Sequence, residues 1–177
     1  SESGGSLQLT DGRFDNQGTV EAVSTDVATA VTYTVLATVS DVTAGNTLTG
    51  GNWRAVAGAT SATIDIQSAA GTVDTIGANA GVTLSGTNSN FTIDGSTIDA
   101  TLAANQGNFS ILDSRDFDTA GPLANSGNVA VGNVSTGGSG GASIAVTSGS
   151  YTQSAGSTVL DGGTLSVTGG ASLDING

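Results

Sequence analysis

The chain contains no cysteine, histidine, lysine or methionine, and only one proline and one tryptophan among 177 residues. Each absence removes a chemistry. Without Cys there are neither disulfides nor thiol nucleophiles, and without Cys or His zinc and haem lose their usual ligands. A serine nucleophile would have no imidazole partner, and no Gly-x-Ser-x-Gly lies in a strand-to-helix setting. A polysaccharide lyase would lack its usual base, since the only cationic side chains are Arg13, Arg54 and Arg115. Against those three stand 15 acidic residues, for a formal net charge of −12. A phosphate backbone or an anionic membrane surface would be repelled, so neither nucleic acid nor membrane insertion is expected. No run approaches the roughly 18 apolar residues that a bilayer-spanning helix needs.

What is present is Gly, Ser, Thr and Asn, punctuated by Val, Ile and Leu at about every second residue. The 28 glycines would suggest disorder if they came in blocks. Their alternation with β-branched residues points instead to many short strands, and so much Gly and Thr argues against a helical bundle. One phrase recurs as a corner feeding a strand: Asn16-Gln-Gly-Thr-Val20, Asn105-Gln-Gly-Asn-Phe109 and Asn125-Ser-Gly-Asn-Val129. Asn and Gly tolerate the backbone of a tight corner, and a corner plus strand every 20 or so residues is the signature of a stacked repeat. The longest alternating run, residues 26–42, is read as strand, either one of the stack or an arm donated to a neighbour's sheet edge.

These features predict an all-β fold, a right-handed parallel β-solenoid of roughly eight to nine irregular rungs, with an antiparallel β-sandwich as the alternative. At about 20 residues per rung and about 4.8 Å between strands, the stack would be about 40 Å long. Residues 1–45 are expected to form N-terminal strands, a cap or an extended arm, and residues 46–177 the solenoid proper. The last residues, from Gly170 to Gly177, stop within another strand phrase, and the chain shows no initiator Met, signal peptide or sorting tail. A segment of something longer, or a processed subunit, is the expectation.

From Asn46 onward the chain resembles the large repetitive bacterial surface proteins called filamentous-haemagglutinin-like or autotransporter-passenger-like. The phrases that carry the resemblance are Asn46-Thr-Leu-Thr-Gly-Gly-Asn-Trp53, Val82-Thr-Leu-Ser-Gly-Thr-Asn-Ser89 and Gly107-Asn-Phe-Ser-Ile-Leu112. With them stand Arg115-Asp-Phe-Asp-Thr-Ala-Gly121, Leu123-Ala-Asn-Ser-Gly-Asn-Val-Ala-Val-Gly132 and Tyr151-Thr-Gln-Ser-Ala-Gly-Ser-Thr-Val-Leu-Asp-Gly162. The resemblance implies a secreted β-solenoid in a stalk, adhesin or fibre at the bacterial cell surface. It specifies an architecture rather than a reaction.

The candidate chemistry is sparse. Asp113, Asp116 and Asp118 put three carboxylates within six residues, the donor type that calcium prefers; the alternative is a solvated corner with Arg115 paired to a nearby Asp. Asp94 and Asp99 would be the pair for glycoside hydrolysis, yet each follows an Ile in an ordinary strand phrase. Asn90, Asn108 and Asn133 open Asn-x-Ser/Thr triplets of the glycan-acceptor kind. Trp53, Tyr33 and Tyr151 could stack on sugars, although a lone Trp after Gly-Gly-Asn more often fills a core. The sequence reading is a non-enzymatic structural or adhesive extracellular module with no obligate cofactor. Its expected partners are further repeats or copies of itself, end to end, and glycans.

Overall fold

The computed structural model describes residues 6–25, 29–67, 69, 71–133, 141–170 and 172–176. It is all-β, with one helix of a single turn, Ile98–Thr101, among the described residues. The strands form where alternation is cleanest. Thr19–Ser24 and Asp116–Thr119 expose and bury successive side chains in strict turn, as a pleat with one wet face requires.

Two sheets have six strands each. The first contains Thr19–Ser24, Gly51–Ala57, Ala80–Ser85, Asn108–Leu112, Asn128–Gly132 and Ser157–Asp161. The second contains Thr47–Leu48, Thr75–Ile76, Ala104–Asn105, Leu123–Asn125, Ser150–Gln153 and Ser172–Ile175. A third, five-stranded sheet holds Ser6–Leu9, Val31–Val35, Ala62–Ile66, Ser89–Ile93 and Ser96–Thr97. Later in the chain its place in the order is taken by a three-stranded sheet of Asp116–Thr119, Ser143–Val146 and Thr164–Val167. Arg13–Phe14 and Thr38–Val39 make a two-stranded sheet near the start. The chain passes from sheet to sheet in a fixed cycle and returns to pair with its previous pass.

Among the described strands, every pairing is parallel except Ser89–Ile93 with Ser96–Thr97. An antiparallel sandwich is thereby set aside, and the sheets are separate rather than closed on themselves. The layers are fewer than the corner phrase suggests: six strands in the largest sheets, not eight or nine. At about 4.8 Å per step those six strands span about 24 Å. The reason is circuit length. Asn108 and Asn128 are partners 20 residues apart, and the last circuit takes 21 to 22, but the remaining circuits take about 26 to 33 residues because their connections are longer.

Ser96–Leu102, read from sequence as a strand phrase, is a two-residue strand followed by the helical turn. Asp94 and Gly95 both take positive φ, 47° and 79°, which makes a tight hairpin of the mirror-image kind. This hairpin and helix end the five-stranded sheet and separate it from the three-stranded one. The early strands join the main sheets: Val31–Val35 is paired on both sides, with Ser6–Leu9 and with Ala62–Ile66.

Register lines the buried side chains into columns. One in the first sheet runs Val20, Trp53, Val82, Phe109, Val129 and Thr158. Beside it run Ala22, Ala55, Leu84, Ile111, Val131 and Leu160, so small residues flank Trp53. Trp53 packs edge-on to Phe14 at 6.0 Å and stacks on Phe91 at 5.9 Å, which ties three sheets together. Each fully buried aliphatic contributes about 1.5–3 kcal/mol, so one circuit alone gains little over its ordering entropy and neighbouring circuits stabilise one another.

Candidate functional site

The repeated Asn-x-Gly corner is an inter-circuit clip. The Asn125 carboxamide oxygen accepts from the Gly127 N–H at 3.1 Å, and its nitrogen donates to the Ser157 carbonyl of the next circuit at 3.2 Å. Asn16 repeats both bonds, to the Gly18 N–H at 3.1 Å and the Asn52 carbonyl at 3.2 Å. Asn105 donates to the Asn128 carbonyl at 3.1 Å and to the Asn125 side-chain oxygen at 2.8 Å. In register, Asn105, Asn125 and Gln153 form a polar column between Ile76 and Ile175, and the first two are fully buried. Within the column Asn125 reaches Gln153 at 3.5 Å, and Gln153 accepts from Thr158 at 2.5 Å.

The corner glycine serves the stacking itself. A Cβ on Gly127 would overlap the Gly107 carbonyl oxygen, and one on Gly107 would overlap those of Ala80 and Gly77. At Gly18, on an early circuit, a Cβ would meet nothing within 4 Å. The same phrase therefore carries a steric demand only where another circuit lies beneath it.

The candidate calcium ligands are drawn in opposite directions. Asp113 (φ 52°) and Ser114 (φ 66°) turn the chain out of Asn108–Leu112, and Asp113 accepts from Ser85 of the previous circuit at 2.6 Å. Asp116 accepts from Ser143 of the next circuit at 2.6 Å. Asp116 and Asp118 share the exposed face of their strand while Phe117 and Thr119 are buried, as alternation predicts. Among the described residues, no three His, Cys, Asp or Glu side chains are grouped so as to hold a metal ion.

Arg115, between these aspartates, is buried. It spans the break where the hairpin interrupts the stack, donating to the Ser89 carbonyl at 3.0 Å and pairing with Asp99 of the helical turn at 2.6 Å. A further N–H goes to the Asp116 carbonyl. Asp99 is thus an anchor for Arg115, and Asp94 occupies the hairpin turn.

A second polar knot was not apparent from sequence. Asp41 is 4% exposed and accepts from the Asn16 N–H at 2.7 Å. Burial pushes its carboxyl above the ordinary Asp value; the Asn16 bond pulls the other way and neighbouring Asp15 adds to the rise. Nothing local marks this pair, because the partners are 25 residues apart and meet only through the circuit.

Trp53 is buried and donates its indole N–H to the Gly50 carbonyl at 3.0 Å. Tyr151 is also buried, its hydroxyl against Thr158 at 2.5 Å and its pKa raised by burial. Neither presents a ring to a sugar; Tyr33 is half-buried. Of the glycan-acceptor asparagines, Asn108 is exposed and Asn90 half-buried, while the triplet of Asn133 runs outside the described residues.

The end formed by the last circuit is open. Leu160, Leu173 and Ile175 continue columns whose previous members, Val131, Tyr151 and Gln153, are buried, yet they are 49%, 54% and 57% exposed. No family model matches the chain, no curated protein matches it, and no solved structure matches its fold.

Proposed function

We propose that the chain is a load-bearing or adhesive module of the extracellular bacterial surface, built as a right-handed β-solenoid rod. The observation that carries this reading is the set of columns that parallel circuits lay down through the two six-stranded sheets, with Leu160, Leu173 and Ile175 still apolar in the outermost layer. A parallel return between strands of one sheet is almost always right-handed, which gives the sense of winding. Such a stack is stiff because each circuit is hydrogen-bonded to its neighbours along the six-stranded sheets, and its inter-circuit clips leave few segments for a protease to open. Three of the carboxylates serve the fold: Asp99 is held by Arg115, Asp41 by Asn16 and Asp113 by Ser85. The function is accordingly mechanical rather than catalytic, with further layers or copies as partners.

Electron microscopy of the native material tests it: long uniform filaments or stalks are expected, and compact isolated particles would overturn the reading. A calcium titration followed by thermal melting separates a calcium-free rod from a calcium-bridged adhesin. The rod should melt at the same temperature with calcium or chelator, whereas a cation-dependent rise would favour the adhesin.

A further inference from the structure

The two six-stranded sheets count six described circuits. Four of the five boundaries between those circuits are crossed by three backbone ladders each. The boundary between the third and fourth is crossed by two: Ala80–Ser85 with Asn108–Leu112, and Ala104–Asn105 with Leu123–Asn125. On the remaining face Ser89–Ile93 is followed by its own antiparallel return, Ser96–Thr97. Asp116–Thr119, one circuit later, pairs only with Ser143–Val146 among the described strands. Side chains stand where the third ladder would be. Ile98 of the helical turn is buried, Arg115 donates to the Ser89 carbonyl and pairs with Asp99, and Thr87 donates to the Ser114 carbonyl at 3.2 Å. The ring contacts respect the same division. Trp53 stacks on Phe91 before it, and Phe109 packs edge-on to Phe117 at 4.9 Å after it.

We propose that this junction divides the stack into two cooperative blocks, circuits one to three and circuits four to six, with Arg115 as the pin that couples them. A stack is held by terms within each circuit and terms between neighbours, so its cooperativity fails first at the weakest junction. Three described circuits stand on each side, the number that a stacked repeat needs to cover a core of its own. In a rod under tension, one block can then open while the other stays folded; that consequence rests on the rod reading, whereas the division rests on the sheet order. The two kinds of residue answer differently to substitution. Opening either block breaks the junction, so a change at Arg115 acts on both blocks equally. A change inside one block acts on the opening of that block alone.

Native-state amide exchange of the 177-residue chain, followed strand by strand, tests the division. Ile144→Val, a mild change at a buried residue of the later block, should speed exchange about threefold to tenfold in Asn108–Leu112 and Asn128–Gly132. It should leave Gly51–Ala57 unchanged. Ile64→Val, buried in the earlier block, should speed Gly51–Ala57 and leave Asn128–Gly132 unchanged. Arg115→Met should speed Gly51–Ala57 and Asn128–Gly132 by one common factor, at least about tenfold. If Ile144→Val speeds every strand alike, the chain is one cooperative unit and the division is overturned. If its effect stays within Asn128–Gly132 and spares Asn108–Leu112, the circuits open singly and the block is overturned. An Arg115→Met effect confined to the later strands would make Arg115 a residue of its own block and overturn the pin. None of these outcomes depends on whether the chain builds filaments, so electron microscopy decides the rod reading separately.

Discussion

Replacing Asn125 tests whether the corner phrase is a clip or merely a place filled by a side chain of suitable size. The carboxamide joins Gly127, Asn105, Gln153 and Ser157, across three successive circuits. Truncation to Ala would leave the Ser157 carbonyl and the Asn105 amide each short of a partner; the Gly127 N–H keeps the Asn105 carbonyl at 3.2 Å. The lost bonds at about 1 kcal/mol each, with a small void, give about 2–4 kcal/mol. That is a large share of the roughly 5–15 kcal/mol expected for a domain, and should lower Tm by about 6–12 °C. Asn125→Leu sharpens the test, because Leu48 and Ile76 occupy the same column and Leu fills the void without restoring the bonds. It should recover only part of the loss. Urea unfolding followed by circular dichroism gives the free energies. Asn128→Ala, at an exposed partner of Asn108, serves as the control and should shift stability by less than about 0.5 kcal/mol. An Asn125→Leu chain as stable as wild type would refute the clip and reduce the column to packing.

Three other outcomes are expected. Gly127→Ala should cost about 2–4 kcal/mol in denaturant unfolding because its Cβ collides with backbone, while Gly18→Ala, with nothing within 4 Å, should be tolerated. Arg115→Met should cost about 2–3 kcal/mol, below the fully buried range because the Asp99 side chain is 24% exposed, and a double-mutant cycle with Asp99→Asn should show coupling above about 1 kcal/mol. Asp41→Asn should stabilise the fold at neutral pH. The folded-state pKa of Asp41 is raised, so its contribution is fully present below the ordinary Asp value and is lost as pH rises through the folded value. The gap between variant and wild type should thus close as pH falls towards that ordinary value; a constant gap from neutral pH downwards would contradict the burial argument.

The local features of the fold were legible in the sequence and the long-range ones were not. Alternation identified strands such as Ala62–Ile66 and Asn108–Leu112, and the Asn-x-Gly phrase marked corners that do clip circuits together. Both signals live within a few residues. The Asp94-Gly95 hairpin was equally local and was hidden by the strand-like Thr-Ile-Asp phrases on either side, although Asp-Gly is a strong turn signal. Circuit length was not legible, because connections of different lengths leave no mark on the alternation that they join. Arg115 with Asp99 and Asp41 with Asn16 lie 16 and 25 residues apart, and only the register brings them together. The Asp113–Asp118 cluster shows the converse: close in sequence, Asp113 and Asp116 are bonded to different circuits, one to Ser85 and the other to Ser143.

That contrast bears on how a stack of this kind holds together without disulfides. Gly107 and Gly127 let backbones approach, Asn16, Asn105 and Asn125 bond one circuit to the next, and Arg115 bridges the break between the five- and three-stranded sheets. Each device acts between circuits rather than within one. A circuit with a neighbour on both sides has these devices satisfied, and its apolar columns are covered. The last circuit has them satisfied on one side only, which is why Leu173 and Ile175 stand exposed in positions that are buried one layer earlier. The same construction that stabilises the interior therefore leaves the outermost described layer without the cover that each inner layer has.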